Sequence, residues 1–259
     1  MILYKYLCPE RLETVEENTF RFTQPNACND PFECMPRLII AKTPEGAEDV
    51  YDNMHNKYGC LHGLPVTKKQ WIAKVLSNDK HRSGDFQFQK KIQDINSNAM
   101  GMLCLTKNPN KLLMWSHYSC NHTGFVLGID SEHNWFSNPP PGRFVGIIKD
   151  VVYGSTRPEK MVEGANDNFE DLSYLYHKGL DWKYEEEYRY ILPLKYCENV
   201  SDGVFVRTFP KDLIKSAVFG CRINPEVEKR IRKAFGDSNI DFLRAEPSSV
   251  TYEMRLTKA

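Results

Sequence analysis

The apolar runs of this sequence are short. Ile2–Leu7, Met100–Thr106 and Gly124–Ile129 are six or seven residues long, whereas a membrane-spanning helix needs about 20 apolar residues. Runs of that length, bounded by Pro, Asn, Asp or Gly, bury as strands. Stretches with helical spacing lie between them, so the chain reads as a mixed α+β fold. Its 259 residues lie near the upper end of what one core supports. One domain over residues 1–259 is expected, with no contact with a membrane. Met1-Ile2-Leu3-Tyr4 goes straight into a strand pattern without a basic, apolar leader, which makes the cytoplasm the expected compartment.

Ile2 to Leu7 reads as a first strand, Pro9 to Asn18 as a short helix, and Phe20-Arg21-Phe22-Thr23 as a second strand that stops at Gln24-Pro25-Asn26. Asn29-Asp30-Pro31-Phe32-Glu33 follows as a turn, with Asn29 able to bond backbone amides locally. Residues 44–97 are polar and lysine-rich, with Trp71, Ile72 and Val75 at helical spacing. They read as a helical insertion over one side of the core and as the candidate lid. A strand over Met100–Thr106, a helix over Pro109–Ser119 and a strand over Gly124–Ile129 come next. Phe144 to Tyr153 reads as a strand pair or one long strand, Arg157 to Tyr176 as a polar connection with helical character, and residues 182–194 as a strand. The tail gives strands over Val204–Phe209 and Leu213–Phe219, a helix over Pro225–Phe235 and a last strand near Ile240–Arg244.

Thirty-four basic residues balance thirty-four acidic ones, which removes any global electrostatic case for a nucleic-acid or membrane-surface binder. A local one remains in the insertion, where Lys68, Lys69, Lys74, Lys80, His81, Arg82, Lys90 and Lys91 either touch phosphate or form a solvated helix face. The eight cysteines, Cys8, Cys28, Cys34, Cys60, Cys104, Cys120, Cys197 and Cys221, contain no CxxC pair and several sit in apolar runs. They read as reduced core thiols. The sequence has no GxGxxG opening a helix, no Walker loop, no GxSxG elbow and no HExxH, which argues against the chemistries those motifs serve.

Two segments could carry chemistry. In Trp182-Lys183-Tyr184-Glu185-Glu186-Glu187-Tyr188-Arg189, period-two alternation would put Glu185, Glu187 and Arg189 on one strand face. Alternate residues lie roughly 7 Å apart, so Arg189 could neutralise one carboxylate while the other stays available. A charged strand face that meets solvent or pairs internally fits the same pattern. In Leu112-Leu113-Met114-Trp115-Ser116-His117-Tyr118, Trp115, His117 and Tyr118 cluster near a helix end and could floor a planar ligand. An aromatic core contact with a satisfied histidine is the alternative. His117 and His122 lack a second Cys or His pair at ligand spacing, so no metal is expected. Cys120 beside them makes a weak case for a thiol nucleophile.

Four blocks together, Leu3-Tyr4-Lys5-Tyr6, Asn29-Asp30-Pro31-Phe32-Glu33, Met114-Trp115-Ser116-His117-Tyr118 with Gly124, and Trp182-x-Tyr184-Glu185-x-Glu187-x-Arg189, resemble an uncharacterised family of bacterial proteins. Their order and character also resemble the ADP-ribosyltransferase fold, especially the toxin branch that modifies thymidine in DNA. The tail from Leu213 to Gly220, with the helix from Glu226 to Phe235 and a last strand, is similar to that branch as well. The resemblance implies a split β-sheet core with flanking helices and a helical insertion. It implies cleavage of NAD as a substrate and transfer of ADP-ribose to a macromolecule, nucleic acid or protein, in a toxin or phage-defence setting with an antitoxin as a candidate partner.

Carried over by position, Glu187 is the catalytic glutamate and Glu185 the upstream member of a Glu-x-Glu pair. Thr106 takes the middle-strand position, Tyr4 or Lys5 stands where the first strand usually has arginine or histidine, and Asn29 falls near the dinucleotide-binding loop. Trp115, His117, Tyr118 and Arg189 complete the expected ligand contacts. The sequence departs from the pattern in having no Ser-Thr-Ser run and in those first-strand residues. Two rivals keep the same residues: a nucleotide- or nucleic-acid-binding module in which Glu185, Glu187 and Arg189 form a structural network, and a metal-dependent nuclease, which needs a further acidic ligand such as Asp30 or Glu33.

Overall fold

A computed structural model of the chain describes residues 1–39, 41, 43–58, 67–77, 86–139, 141–142, 145–161, 172–236 and 238–259. The short apolar runs are strands. In chain order these are β1 Ile2–Leu7, β2 Thr19–Phe22, β3 Arg37–Ile39, β4 Met100–Thr106, β5 Phe125–Asp130, β6 Ile148–Asp150, β7 Val152–Gly154, β8 Glu159–Met161, β9 His177–Gly179, β10 Glu187–Pro193, β11 Glu198–Ser201, β12 Val204–Thr208, β13 Ile214–Phe219, β14 Asp241–Pro247 and β15 Met254–Lys258. The helices are α1 Glu13–Glu16, α2 Pro44–Tyr58, α3 Lys68–Ser77, α4 Phe86–Ala99, α5 Leu112–Tyr118 and α6 Pro225–Phe235. None of the described helices is long and apolar enough to cross a membrane.

The main sheet has the order β15-β14-β13-β5-β1-β4-β10-β6. Its pairing is uneven at one place. β1 pairs with β5 from Ile2 opposite Asp130 to Leu7 opposite Phe125, and β10 pairs with β4 from Glu187 opposite Thr106 to Pro193 opposite Met100. Between β1 and β4 a single register pair, Tyr4 opposite Thr106, joins the two halves. Lys5 spans the gap there, its Nζ donating to the Cys104 carbonyl at 3.1 Å. That contact satisfies an acceptor that β1 leaves unpaired, as a half-buried carbonyl requires.

Alternation assigns the faces. Leu3, Leu7, Leu103, Leu105, Tyr190 and Leu192 pack on one side with Phe20, Phe22, Trp135 and the buried Ile231 and Phe235 of α6 in a continuous core. The start of α6 follows from its sequence: Asn224 Oδ1 accepts the Glu226 amide at 2.8 Å and Pro225 opens the helix. The opposite side carries two separate clusters, one per half of the sheet. Tyr6, Met114, Trp115, Val126 and Val218 cover the β1 half, while Cys34, Met102, Tyr174, Leu175 and Ile191 cover the β4–β10 half.

The described part of the insertion is helical, in two dissimilar pieces. α2 and α3 meet through Ala47, Val75 and Trp71 in a satellite cluster. α4 instead docks on the core with polar side chains, Gln93 Nε2 donating to the Glu33 carbonyl at 2.7 Å and Asn96 Nδ2 to the Tyr174 hydroxyl at 2.9 Å. In the basic stretch, Lys68 pairs with Glu48 and Asp52 at 2.7 Å each. Lys80, His81 and Arg82 lie outside the described residues.

Several expectations need correction. The described part of the connection from Arg157 to Tyr176 is not a helix; it holds β8 and one 3-10 turn at Ser173–Tyr176. Residues 182–194 are not one strand, because Leu180–Glu185 forms a 3-10 turn, Glu186 takes a left-handed φ of 44°, and β10 begins only at Glu187. The last strand of the chain is β15, a solvated edge whose weak apolar pattern hid it. Cys8 and Cys120 are not reduced thiols but a disulfide, although 112 residues separate them. Cys28, Cys34, Cys104, Cys197 and Cys221 are free, and Cys60 lies outside the described residues.

Candidate active site

A cavity of about 370 Å³ opens beside the Tyr4–Thr106 pairing of β1 with β4. Tyr4, Lys5 and Tyr6 line it from β1, Cys104, Leu105 and Thr106 from β4, His117 and Tyr118 from α5, and Asn29 and Glu33 from the turn after β2; Glu185, Glu187 and Lys178 complete it. Its size falls in the range of small-ligand sites. Tyr4, Thr106 and Glu187 stand in one row across β1, β4 and β10, since Thr106 is opposite both of the others. Gly128 of β5 extends that row, where a Cβ would lie 2.2 Å from Ser216 Oγ and 3.2 Å from the Tyr4 ring. A glycine there leaves the tyrosine room to lie over the strand.

Buried charges gather at the cavity wall. Arg189 is fully buried and grips Glu187 with one edge of its guanidinium, Nε to Oε1 at 2.8 Å and Nη2 to Oε2 at 3.1 Å. Its Nη1 reaches Glu33 Oε1 at 2.8 Å and the Leu175 carbonyl at 2.5 Å. Lys178 Nζ sits among three carboxylates, 2.5 Å from Glu185, 3.1 Å from Glu187 and 3.8 Å from Glu33. Burial alone would raise the pKa of Glu187, but the charges of Arg189 and Lys178 outweigh it and hold this carboxyl well below the usual range. For Glu185 and Glu33 burial wins and the pKa is raised, against the opposing pull of Lys178 on the first and Arg189 on the second. Lys178 keeps its proton far above the ordinary lysine value because Glu187, Glu185 and Glu33 overcome the cost of burying it.

Glu185 reaches this cluster from its 3-10 turn, where its Oε1 accepts from the Tyr118 hydroxyl. That hydroxyl in turn accepts from Asn29 Nδ2 at 3.1 Å. Burial and the Glu185 charge both push the Tyr118 phenol upward, so it stays a proton donor. The Glu187 amide donates to the Tyr153 hydroxyl at 2.8 Å. His117, at the exposed rim, shares a hydrogen bond of 2.9 Å between its Nδ1 and the Tyr184 hydroxyl.

Of the expected site residues, Tyr4, Lys5, Asn29, Thr106, His117, Tyr118, Glu185 and Glu187 all line the one cavity. Trp115 does not. It is fully buried, with Nε1 donating to the Pro109 carbonyl at 2.9 Å, so it is a core ring and cannot stack on a ligand. Arg189 lies beneath Glu187 and positions it, with no exposed surface of its own for a ligand. Asn29 bonds Tyr118 in place of a local amide; Asp30 Oδ1 makes the turn contact, accepting from the Phe32 amide at 2.8 Å.

Residues 114–190 match the family model described as Protein of unknown function (DUF2971). The matched segment runs from α5 through Lys178, Glu185 and Glu187 to Arg189, and so takes in much of the charge cluster. No curated protein and no solved structure gives a significant match.

Lys178 and Tyr153 were missed by sequence reasoning. β9, His177–Gly179, is too short for its alternation to mark Lys178 in the sequence.

Proposed function

We propose that this protein cleaves NAD at the nicotinamide–ribose bond and transfers ADP-ribose to a macromolecular acceptor, nucleic acid or protein. The row Tyr4, Thr106 and Glu187 at the split between β1 and β4 carries this proposal. It aligns three positions that the resemblance makes functional, and the cavity opens on them. As the C1′–N bond breaks, nicotinamide leaves with the bonding pair and positive charge develops on the ribose. A carboxylate held ionised and fixed in place lowers that barrier electrostatically, and Arg189 and Lys178 hold Glu187 in that state. The acceptor nucleophile then bonds to C1′ and its proton goes to a base. Glu185, with proton affinity raised by burial and its oxygens held by Tyr118 and Lys178, suits general-base work. The Tyr4 and Tyr118 rings at the cavity wall offer stacking surface for nicotinamide or an acceptor base.

The nuclease reading gains the third carboxylate it needed, Glu33. Against it, the Lys178 ammonium occupies the centre of the carboxylate group, where a bound cation would have to sit. The test is incubation with labelled NAD and separate DNA, RNA and protein acceptors. Nicotinamide release and label transfer that vanish in Glu187→Gln are expected. The absence of both across all acceptors sinks the proposal, and metal-dependent cutting of nucleic acid would put the nuclease in its place.

A further inference from the structure

We propose that Cys8 and Cys120 form a reversible redox-modification site, with low-molecular-weight disulfides and thiols as its reactants, whose bond sets how firmly two walls of the cavity are held together. Cys8 follows directly on β1, the strand of Tyr4 and Lys5, and Cys120 lies two residues beyond α5, the helix of His117 and Tyr118. Their Cα atoms are 5.3 Å apart, a normal separation for a disulfide. Both are half-buried, beside the exposed Glu10, so small thiols in solvent can reach them, whereas Cys34 is fully enclosed in the core.

The bond anchors a costly turn. Cys120, Asn121 and His122 have φ of 49°, 55° and 70°, and three successive left-handed residues other than glycine are disfavoured in L-amino acids. The turn is held by Asn121 N–H to the Ser116 carbonyl at 3.3 Å, His122 N–H to Trp115 at 3.1 Å and Gly124 N–H to Ser119 at 2.9 Å. Gly124 passes so close to β1 that a Cβ would lie 2.0 Å from the Leu7 carbonyl oxygen. Opening the disulfide removes the covalent tie between this turn and β1 and loosens the Tyr118 hydroxyl that holds Glu185 and Asn29.

The chemistry balances by thiol–disulfide exchange. One cysteine thiolate attacks a disulfide RSSR, a mixed disulfide forms and RS⁻ leaves. The second thiolate then attacks the protein sulfur, the Cys8–Cys120 bond forms and another RS⁻ leaves. Two protein thiols are oxidised, one RSSR becomes two thiols, and two equivalents of RSH reverse the sequence and regenerate RSSR. In a reducing compartment such a bond is transient and regulatory. This inference holds whatever ligand the cavity takes.

The test equilibrates the full chain across ratios of reduced to oxidised glutathione. Free thiols are mapped by maleimide tagging and peptide mass, and amide exchange is followed in β1 and residues 117–124. Cys8 and Cys120 should lose reactivity together as the mixture becomes oxidising, with Tm rising by roughly 10 °C. Exchange in both segments should slow about 10-fold. C8S/C120S should exchange like the reduced protein at every ratio; if it does not fold, the glutathione series on the unaltered chain carries the test. Equal tagging at both ends of the series overturns the proposal. So does protection that persists under reductant and is released by a chelator, which would make Cys8, Glu10 and Cys120 a metal site. A disulfide that forms without slowing exchange in either segment overturns the coupling. None of these readouts needs NAD, so a failure of NAD cleavage leaves them intact.

Discussion

Two clusters of glutamate and arginine in this protein have similar hydrogen-bond lengths and different surroundings. At the edge where α6 meets β14, Glu228 takes Arg232 at 2.8 Å and Arg244 at 2.6 Å, with 17%, 36% and 29% of the respective side chains exposed. At the cavity, Arg189 takes Glu187 and Glu33 at 2.8 Å each, with at most 5% of any of the three exposed. Solvent screens the first cluster and weakens its contribution. The second replaces water altogether, so each charge depends on its neighbours and the loss of one strands the rest. A fold has little to gain from burying three carboxylates against two cations, since apolar groups of the same volume often serve stability as well. Under the proposed function, the buried charge beside the cavity is where stability is traded for chemistry.

The comparison breaks most visibly at Arg189. Arg189→Met should cost about 3–5 kcal/mol in denaturant unfolding, with part recovered in the double variant with Glu187→Gln. A cost near that of a surface pair would mean that water reaches the cluster. Next comes Glu187→Gln, expected to lower nicotinamide release by at least about 100-fold; a matched unfolding curve separates lost chemistry from lost fold.

Lys178→Met sharpens the contrast through pH. Glu185 has a raised pKa, chiefly from burial, so its contribution to stability is full below about pH 4.3 and is lost as pH climbs through the raised value. Removing the Lys178 charge lifts that value further. The acid limb of the rate profile and this window of stability should both move to higher pH, and an unmoved limb would exclude Glu185 as the base. Glu187, with its depressed pKa, acts in the opposite sense: its contribution is present above about pH 4.3 and fades as pH falls below it. The smallest effect belongs to the surface. Arg244→Ala should cost about 1 kcal/mol or less, and less again in high salt; a cost comparable to that of Arg189→Met would erase the distinction.

Strand periodicity marked the strands that carry the cavity, while Tyr4, Lys5, Asn29 and Thr106 were singled out by the resemblance alone. Tyr4, Thr106 and Glu187 sit on strands whose apolar runs are plain in the sequence, and residues on paired strands share a row once the pairing is known. Helical segments are harder to read at this level. Trp115 and Tyr118 share a face of α5 three residues apart, yet one fills the core and the other lines the cavity, because the helix's position over the sheet decides which turn of that face meets the cavity. Glu185 entered the cluster by a route that period two did not foresee, as a 3-10 turn and the left-handed Glu186 bring it back beside Glu187. Lys178 was invisible because β9 has only three residues and pairs with β7, a partner set by the tertiary fold.

The lone Tyr4–Thr106 crossing gives the main sheet a seam, and whatever fills the gap beside it becomes a structural part of the protein. A molecule that grips both sides would staple the two half-sheets, so its affinity should appear as resistance to melting that grows with the logarithm of its concentration. A panel of nucleotides can therefore be ranked by thermal shift alone, before any turnover is seen.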